Sequence, residues 1–276
     1  KKIDVPKRVT KTSMTFTKDN LLKGNPRGLE AKNMSFIMAG DKLDLGDGKK
    51  AKTVLSNYEA LKNRVPYKTA IAKFEEKSKG KDDLVKTVGK QILFFEAFVD
   101  QPYVDEKANP PIITAGAGIT GKQLFAKGEK DKRDLMEKFV DLIPKYISRA
   151  RDEIIGSKDK GRKIKGIRDK WNKLSSNLKT ALTVAAYRGD MAKGHYTADL
   201  LRSEEWENAA KEFLQHDDLR DELGKDKDYE VTIGDLGNPV KDSFIGRFKY
   251  IHDAIKNEAK AKNEAIKAGA NSKKKG

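Results

Sequence analysis

The sequence predicts an α+β protein, mostly helical, with a small β region set among the helices and an extension before them. Three observations carry that expectation. After residue 82 most segments repeat apolar side chains at three- and four-residue spacing, the period of a helix packed on one face. One stretch, 101–125, breaks the period with Pro102, Pro110, Pro111, Gly116, Gly118 and Gly121 among β-branched residues, which no continuous helix admits. Residues 1–50 are rich in Lys, Gly, Asn, Thr and Asp and contain only short apolar runs.

Taken in order, residues 1–52 hold strand-like pieces separated by the turn signals Asn25-Pro26 and Gly46-Asp47-Gly48, and read as a small β-containing adaptor. Residues 53–81 form a helical connector, interrupted at Pro66 and closing in the linker Lys77 to Asp82. Asp82 or Asp83 caps a helix over 83–99, whose face is Leu84, Val88, Ile92, Phe95 and Val99. Residues 101–125 then form a hairpin or three-stranded flap. A helix from Asp131 to Ile155 repeats Leu135, Phe139, Leu142, Ile143, Tyr146 and Ile147, with a bend expected at Pro144. Residues 156–170 carry seven Lys or Arg against two Asp and read as a solvated basic connection.

The last third is helical by pattern. Trp171, Leu174, Leu178, Leu182 and Ala185 form a stripe that Gly189 ends. Ser203 is the expected N-cap of a helix with Trp206, Ala209, Ala210, Phe213 and Leu214 on its core side. Asn238-Pro239 opens a final helix with Val240, Phe244, Phe248, Ile251 and Ile255 inward. Beyond it, residues 259–276 form a basic Lys/Ala-rich tail, expected to be frayed or disordered.

Composition bounds the function. The chain has 276 residues, 37% hydrophobic and 36% charged, enough for one large domain or a domain with a smaller module. No window approaches the roughly 18 consecutive apolar residues of a membrane span, and KKIDVPKRVT lacks the apolar core of a secretion signal. A first residue of Lys rather than Met is what a processed product would show. Cysteine is absent, so there is no disulfide and no thiol metal site. His195, His216 and His252 are too scattered to suggest a metal cluster, and read as surface or capping residues; neither metal nor cofactor is expected. The net charge of +16 points to a polyanionic partner: nucleic acid, anionic lipid or an acidic wall polymer.

Chemistry concentrates in FFEAFVDQPYVDEKANPPIITAGAG, residues 94–118. Glu96 stands among Phe94, Phe95, Ala97 and Phe98 on the apolar side of its helix, where burial would favour the protonated form a general acid needs. Asp105 stands in polar turn sequence beside Tyr103, Glu106, Lys107 and Asn109, where a carboxylate stays ionised. Thr114 offers a hydroxyl that can hold a water. Two acids in opposed environments suit acid-assisted hydrolysis of a glycosidic bond. Gly116 and Gly118 also fit ordinary turn residues, and no dinucleotide or P-loop pattern completes them. Likewise, a Glu ending a helix and an Asp nine residues on also fit a plain structural role in a chain with 42 acidic residues.

Together these residues resemble the T-even phage type of lysozyme, the endolysin family also called glycoside hydrolase family twenty-four. That family carries a helix-borne Glu, a Tyr-x-Asp and a Thr-x-Gly-x-Gly strand; here these are Glu96, Tyr103-Val104-Asp105 and Thr114-Ala115-Gly116-Ala117-Gly118. WNKLSSNLKTALTVAAYRGD (171–190) is similar to the family's long central helix, TADLLRSEEWENAAKEFL (197–214) to the segment after it, and VKDSFIGRFKYIHDAI (240–255) to its closing Arg-containing helix. Three departures stand out. Ile119 replaces the His that usually follows the glycines, the loop between Asp105 and Thr114 is a few residues longer, and Tyr187-Arg188-Gly189 stands where many members have Asn-x-Gly.

The resemblance covers 82–258 and implies a lysozyme-like fold with a small β lobe and a larger helical lobe. It implies a muramidase cleaving the β-1,4 bond between N-acetylmuramic acid and N-acetylglucosamine, with inversion. Glu96 would be the acid, Asp105 and Thr114 would direct water, and Tyr103, Gly116, Tyr187 and Arg188 would bind substrate. The partner would be peptidoglycan of the bacterial wall. The stretch NPRGLEAKNMSFIMAGDKLDL also resembles the second half of a LysM module. An extension over residues 1–80 suits anchoring to tail or baseplate proteins of a phage virion, which would place the protein in the virion or, before release, in the host cytoplasm. A second reading is a non-catalytic basic virion or wall-binding protein on a lysozyme fold, favoured by the lysine tail, the basic 156–170 segment and Ile119. Nucleic acid is not the expected main partner, because the charge lacks aromatic interleaving and a recognition motif.

Overall fold

The computed structural model describes residues 15–16, 39–43, 50–105, 112–120, 124, 133–156, 166–192 and 194–272, with 15–16 and 269–272 described by backbone alone. The chain is α+β and mostly helical, as its periodicity predicts, with two small three-stranded sheets among the described residues. It divides into two compact units: residues 1–73 with 97–139, and residues 74–96 with 140–276.

The first unit holds both sheets. Strands β1 (Thr15–Phe16), β2 (Lys42–Leu43) and β3 (Lys52–Thr53) form one, with β1 parallel to β2 and β2 antiparallel to β3. The adaptor's turn signals at Asn25-Pro26 and Gly46-Asp47-Gly48, and most of the LysM-like stretch, lie outside the described residues. Helix α1 (Asn57–Lys62) is started by a reciprocal cap, in which Ser56 Oγ accepts the Glu59 N–H and the Glu59 carboxylate accepts the Ser56 N–H at 2.8 Å. Helix α2 (Tyr67–Lys77) follows Pro66 and runs on into the second unit.

Strands β4 (Val99–Asp105), β5 (Ile112–Gly116) and β6 (Ile119–Thr120) form the second sheet, wholly antiparallel, where the sequence predicts a hairpin or three-stranded flap. Register places Tyr103 opposite Thr114, Asp105 opposite Ile112, and Thr114 opposite Thr120. Directly paired residues and alternate residues of a strand share a face. Val104, Ile113, Ala115 and Ile119 therefore occupy the opposite face, and all four are buried. A smaller cluster of Leu55, Ala60 and Val99 takes the Tyr103 ring against it.

The second unit is helical. Helix α3 (Asp83–Glu96) is capped by Asp82, whose Oδ1 accepts the Val85 N–H at 2.9 Å. It stops at Glu96 rather than running to residue 99 as the spacing suggested. Ala97 takes a left-handed φ of 56°, and Val99 already belongs to β4. Val88 and Ile92 are buried as expected, whereas Leu84 is half-buried. Gly89 lies where α3 meets the buried Phe74 ring; a Cβ there would collide with that ring and lie 2.8 Å from Ile143 Cδ1.

Helix α4 (Leu135–Arg149), whose first turn and cap belong to the first unit, begins later than predicted, because Asp134 and Glu137 form a reciprocal cap at 2.8 and 2.9 Å. It contains Pro144 and continues as a π-helical segment over Ala150–Ile155. Residues 157–165 of the basic connection lie outside the described residues. The stripe from Trp171 to Ala185 is buried throughout but comes from two helices, α5 (Ile167–Lys173) and α6 (Ser176–Arg188). Leu174 turns extended, and Ser175 restarts the helix by accepting the Leu178 N–H at 3.1 Å. Thr180 and Thr183, also buried, return their hydroxyls to the carbonyls of Ser176 and Lys179, so α6 stays buried without unsatisfied polar groups at those positions.

Two caps of the last third fall elsewhere than expected. Ser203 is the C-cap of α7 (Tyr196–Arg202), and α8 (Trp206–Phe213) starts after Glu205 without a side-chain cap. After α9 (Asp217–Glu222), the final helix α10 (Phe244–Ser272) starts at Ser243, whose Oγ accepts the Gly246 N–H at 3.0 Å, and not at Pro239. The tail expected to fray is helical backbone through Ser272, although from Lys260 to Ala268 it is largely exposed. Its inner half buries Phe248, Ile251, Ala254, Ile255 and Ala259 against the unit's core, against α6 and α8.

Candidate active site

The residues predicted to act fall in both units: Glu96, Tyr187 and Arg188 in the helical one, Tyr103, Asp105, Thr114 and Gly116 in the sheet-bearing one.

Glu96 is the last residue of α3, and its side chain is 11% exposed. The apolar setting read from its sequence neighbours does not describe its carboxylate. Residues one and two positions away on a helix point elsewhere: Phe95 turns to Tyr250, with ring centroids 5.6 Å apart, and Phe94 packs edge-on against Phe95. The oxygens meet guanidinium groups instead. Arg188 Nη1, from the end of α6, lies 3.0 Å from Oε2, and Arg247 Nη1, from α10, lies 3.5 Å from Oε1.

Arg247 is itself held elsewhere. Its Nε and Nη2 donate to the two carboxylate oxygens of Asp190 at 2.8 and 3.1 Å, a bidentate grip by two side chains that are 5% and 7% exposed. Phe244 and Phe248 lie under the guanidinium at 4.9 and 5.9 Å. The sequence reading named the Arg-bearing helix but not this pair. A signal was present: an Asp following the Gly189 turn that ends a helix, and an Arg on the apolar face of α10.

Tyr187 and Arg188, expected to bind substrate, have partners of their own. The Tyr187 ring packs edge-on against Tyr146 at 4.7 Å, and Arg188 holds Glu96. Gly189, in a left-handed conformation at φ 81°, ends α6 where the sequence predicted a stop. Of the histidines, His216 Nδ1 accepts the Asp218 N–H at 3.2 Å, His195 occupies the start of α7, and His252 is buried beside Asp253 rather than on the surface. Among the described residues no group of three or more His, Asp or Glu could hold a metal.

In the other unit, register puts Tyr103, Asp105 and Thr114 on one face of the β4–β5–β6 sheet. Asp105 and Thr114 are diagonal neighbours, a relation that sets Cα atoms roughly 7–8 Å apart. Thr114 is 2% exposed, and its Oγ1 has no hydrogen-bond partner among the described residues. A buried hydroxyl left unsatisfied costs about 1–3 kcal/mol, so the position is suited to a group from outside the protein, a water or a substrate hydroxyl.

The Gly-rich stretch has a local explanation as well. Ala115 pairs with Ile119, so residues 116–118 make the whole β5–β6 turn, and Gly116 and Gly118 supply φ of 63° and 86°. A Cβ on Gly116 would lie 3.2 Å from Ile119 Cδ1. Gly116→Ala is therefore expected to lower stability by about 1–2 kcal/mol, read as a drop in the urea midpoint at unchanged slope. Ile119, where the resembled family has His, is fully buried and packs in the sheet's apolar face.

No family model, curated protein or solved structure matches this chain. Among the described residues no helix is long and apolar enough to cross a membrane.

Proposed function

We propose that this protein is a phage-type lysozyme, a muramidase that hydrolyses the β-1,4 bond between N-acetylmuramic acid and N-acetylglucosamine on a lysozyme-like fold. The observation that carries the reading is the buried Thr114 hydroxyl, without a hydrogen-bond partner among the described residues, on the same sheet face as Asp105. A carboxylate and a hydroxyl so arranged are what an inverting glycosidase uses to hold and deprotonate its attacking water. Glu96, on the helix just before that sheet, takes the acid role and protonates the leaving oxygen. Arg188 and Arg247 hold its carboxylate in place. The excess of basic residues favours the anionic wall polymer. Residues 1–80 suit attachment to other virion proteins, which would make this a lysozyme of the particle acting locally on the wall.

Two measurements test the reading. Wild-type protein should clear peptidoglycan in a zymogram and release reducing ends of inverted configuration, whereas Glu96→Gln should not. If both proteins bind wall material in a salt-dependent way and neither releases sugar, the non-catalytic wall-binding alternative holds instead. Thr114→Val adds a sharper expectation. Removing the unsatisfied hydroxyl at nearly constant volume should leave stability unchanged or raise it by about 1 kcal/mol. Hydrolysis should nevertheless fall about tenfold or more as the water loses its positioning group.

A further inference from the structure

We infer that Asp190 is a positioning residue for the acid chemistry of Glu96, acting through Arg247; the inference rests on the muramidase reading above. Glu96 ends a helix between two guanidinium groups. One of them, Arg188, is 39% exposed and its charge is shared with solvent. The other, Arg247, is buried, so its charge is screened far less. Unopposed at 3.5 Å, it would hold Glu96 as an anion, the wrong form for a general acid at neutral pH.

Asp190 supplies the opposition. It takes two shorter bonds from Arg247, at 2.8 and 3.1 Å, on the edge of the guanidinium that carries Nε and Nη2, and leaves Nη1 toward Glu96. Arg247 is thereby oriented by the Asp190 grip and electrically balanced by it, and can steady the Glu96 carboxyl without fixing its charge. Among the described residues of this unit, Arg188 from α6 and Arg247 from α10 face Glu96, with Asp190 from the connection after α6 behind Arg247. Asp190 also lines an open cavity of about 370 Å³ whose wall carries His195, Glu212, His216, Asp217 and Asp218.

The test reads Glu96 directly and separately from activity. In protein with ¹³C-labelled Glu and Asp carboxyls, the Glu96 resonance is followed against pH in wild type, Asp190→Asn and Asp190→Glu. Asp190→Asn keeps shape and removes the charge; the Glu96 titration midpoint should fall by about one pH unit, the low end of the effect of a nearby opposite charge. Asp190→Glu should stay near wild type. On peptidoglycan, the high-pH limb of activity in Asp190→Asn should move down by the same amount, with activity at pH 5 retained better than at pH 7. A uniform loss of activity with an unmoved Glu96 midpoint, or an Asp190→Glu midpoint moved as far as that of Asp190→Asn, would overturn the inference. A moved midpoint in a protein that releases no sugar would keep the coupling and reject the muramidase reading instead.

Discussion

Glu96→Gln is expected to reduce peptidoglycan hydrolysis by about a thousandfold, within the range over which a positioned general acid contributes, while the protein remains folded. The amide keeps the shape of the carboxyl but cannot donate the proton that the leaving oxygen needs. The structural cost should be small. Arg188, the closer partner at 3.0 Å, is exposed enough to turn to water, and Arg247 keeps its bidentate partner Asp190. A thermal melt within a few degrees of wild type, beside a blank zymogram lane, is the expected pair of results. Equal clearing by wild type and variant would remove Glu96 from the chemistry altogether.

Arg247→Met carries the largest expected stability effect. The side chain is 5% exposed and grips an Asp190 that is 7% exposed, so removing the cation strands a buried carboxylate. Breaking such a pair from one side typically costs about 3–5 kcal/mol. Met fills much of the same volume against Phe244 and Phe248, so the loss should be one of charge balance and not of packing. Arg247→Met combined with Asp190→Leu should therefore recover most of the loss, because replacing both members of a buried pair with apolar groups is often neutral. Urea midpoints for the two single variants and the double variant measure the coupling directly. A single-variant cost under about 1 kcal/mol would mean that water reaches the pair and screens it.

Much of the fold was legible because it depends on local rules. Leu178, Leu182 and Ala185 repeat at helical spacing and are buried in α6; Pro102, Gly116 and Gly118 do stand in a sheet and its turn. Errors collected at helix ends. Ser203 satisfies every sequence criterion for an N-cap, yet α7 reaches it first and uses it as a C-cap. Pro239 can begin a helix, but Ser243 provides the hydroxyl that the Gly246 N–H requires. Ser175 splits what reads as one stripe into two helices, since a Ser can cap a new helix as readily as sit within one. In each case several residues were chemically competent, and packing chose among them.

The candidate site divides along the same line. The sequence by itself determined the local placement of the candidate residues: an acid ending a helix, a Tyr-x-Asp and Thr-x-Gly-x-Gly on strands, and glycines where the β5–β6 turn needs a left-handed backbone. Those features follow from propensity and spacing within 25 residues. Tertiary structure alone decided the surroundings of Glu96. Its aromatic sequence neighbours suggested an apolar pocket, but helix geometry turns them aside and brings in Arg247, 151 residues away, already held by Asp190. Charge acts through space, so the groups that govern an acid's proton are the ones folding places beside it, and no local pattern lists them.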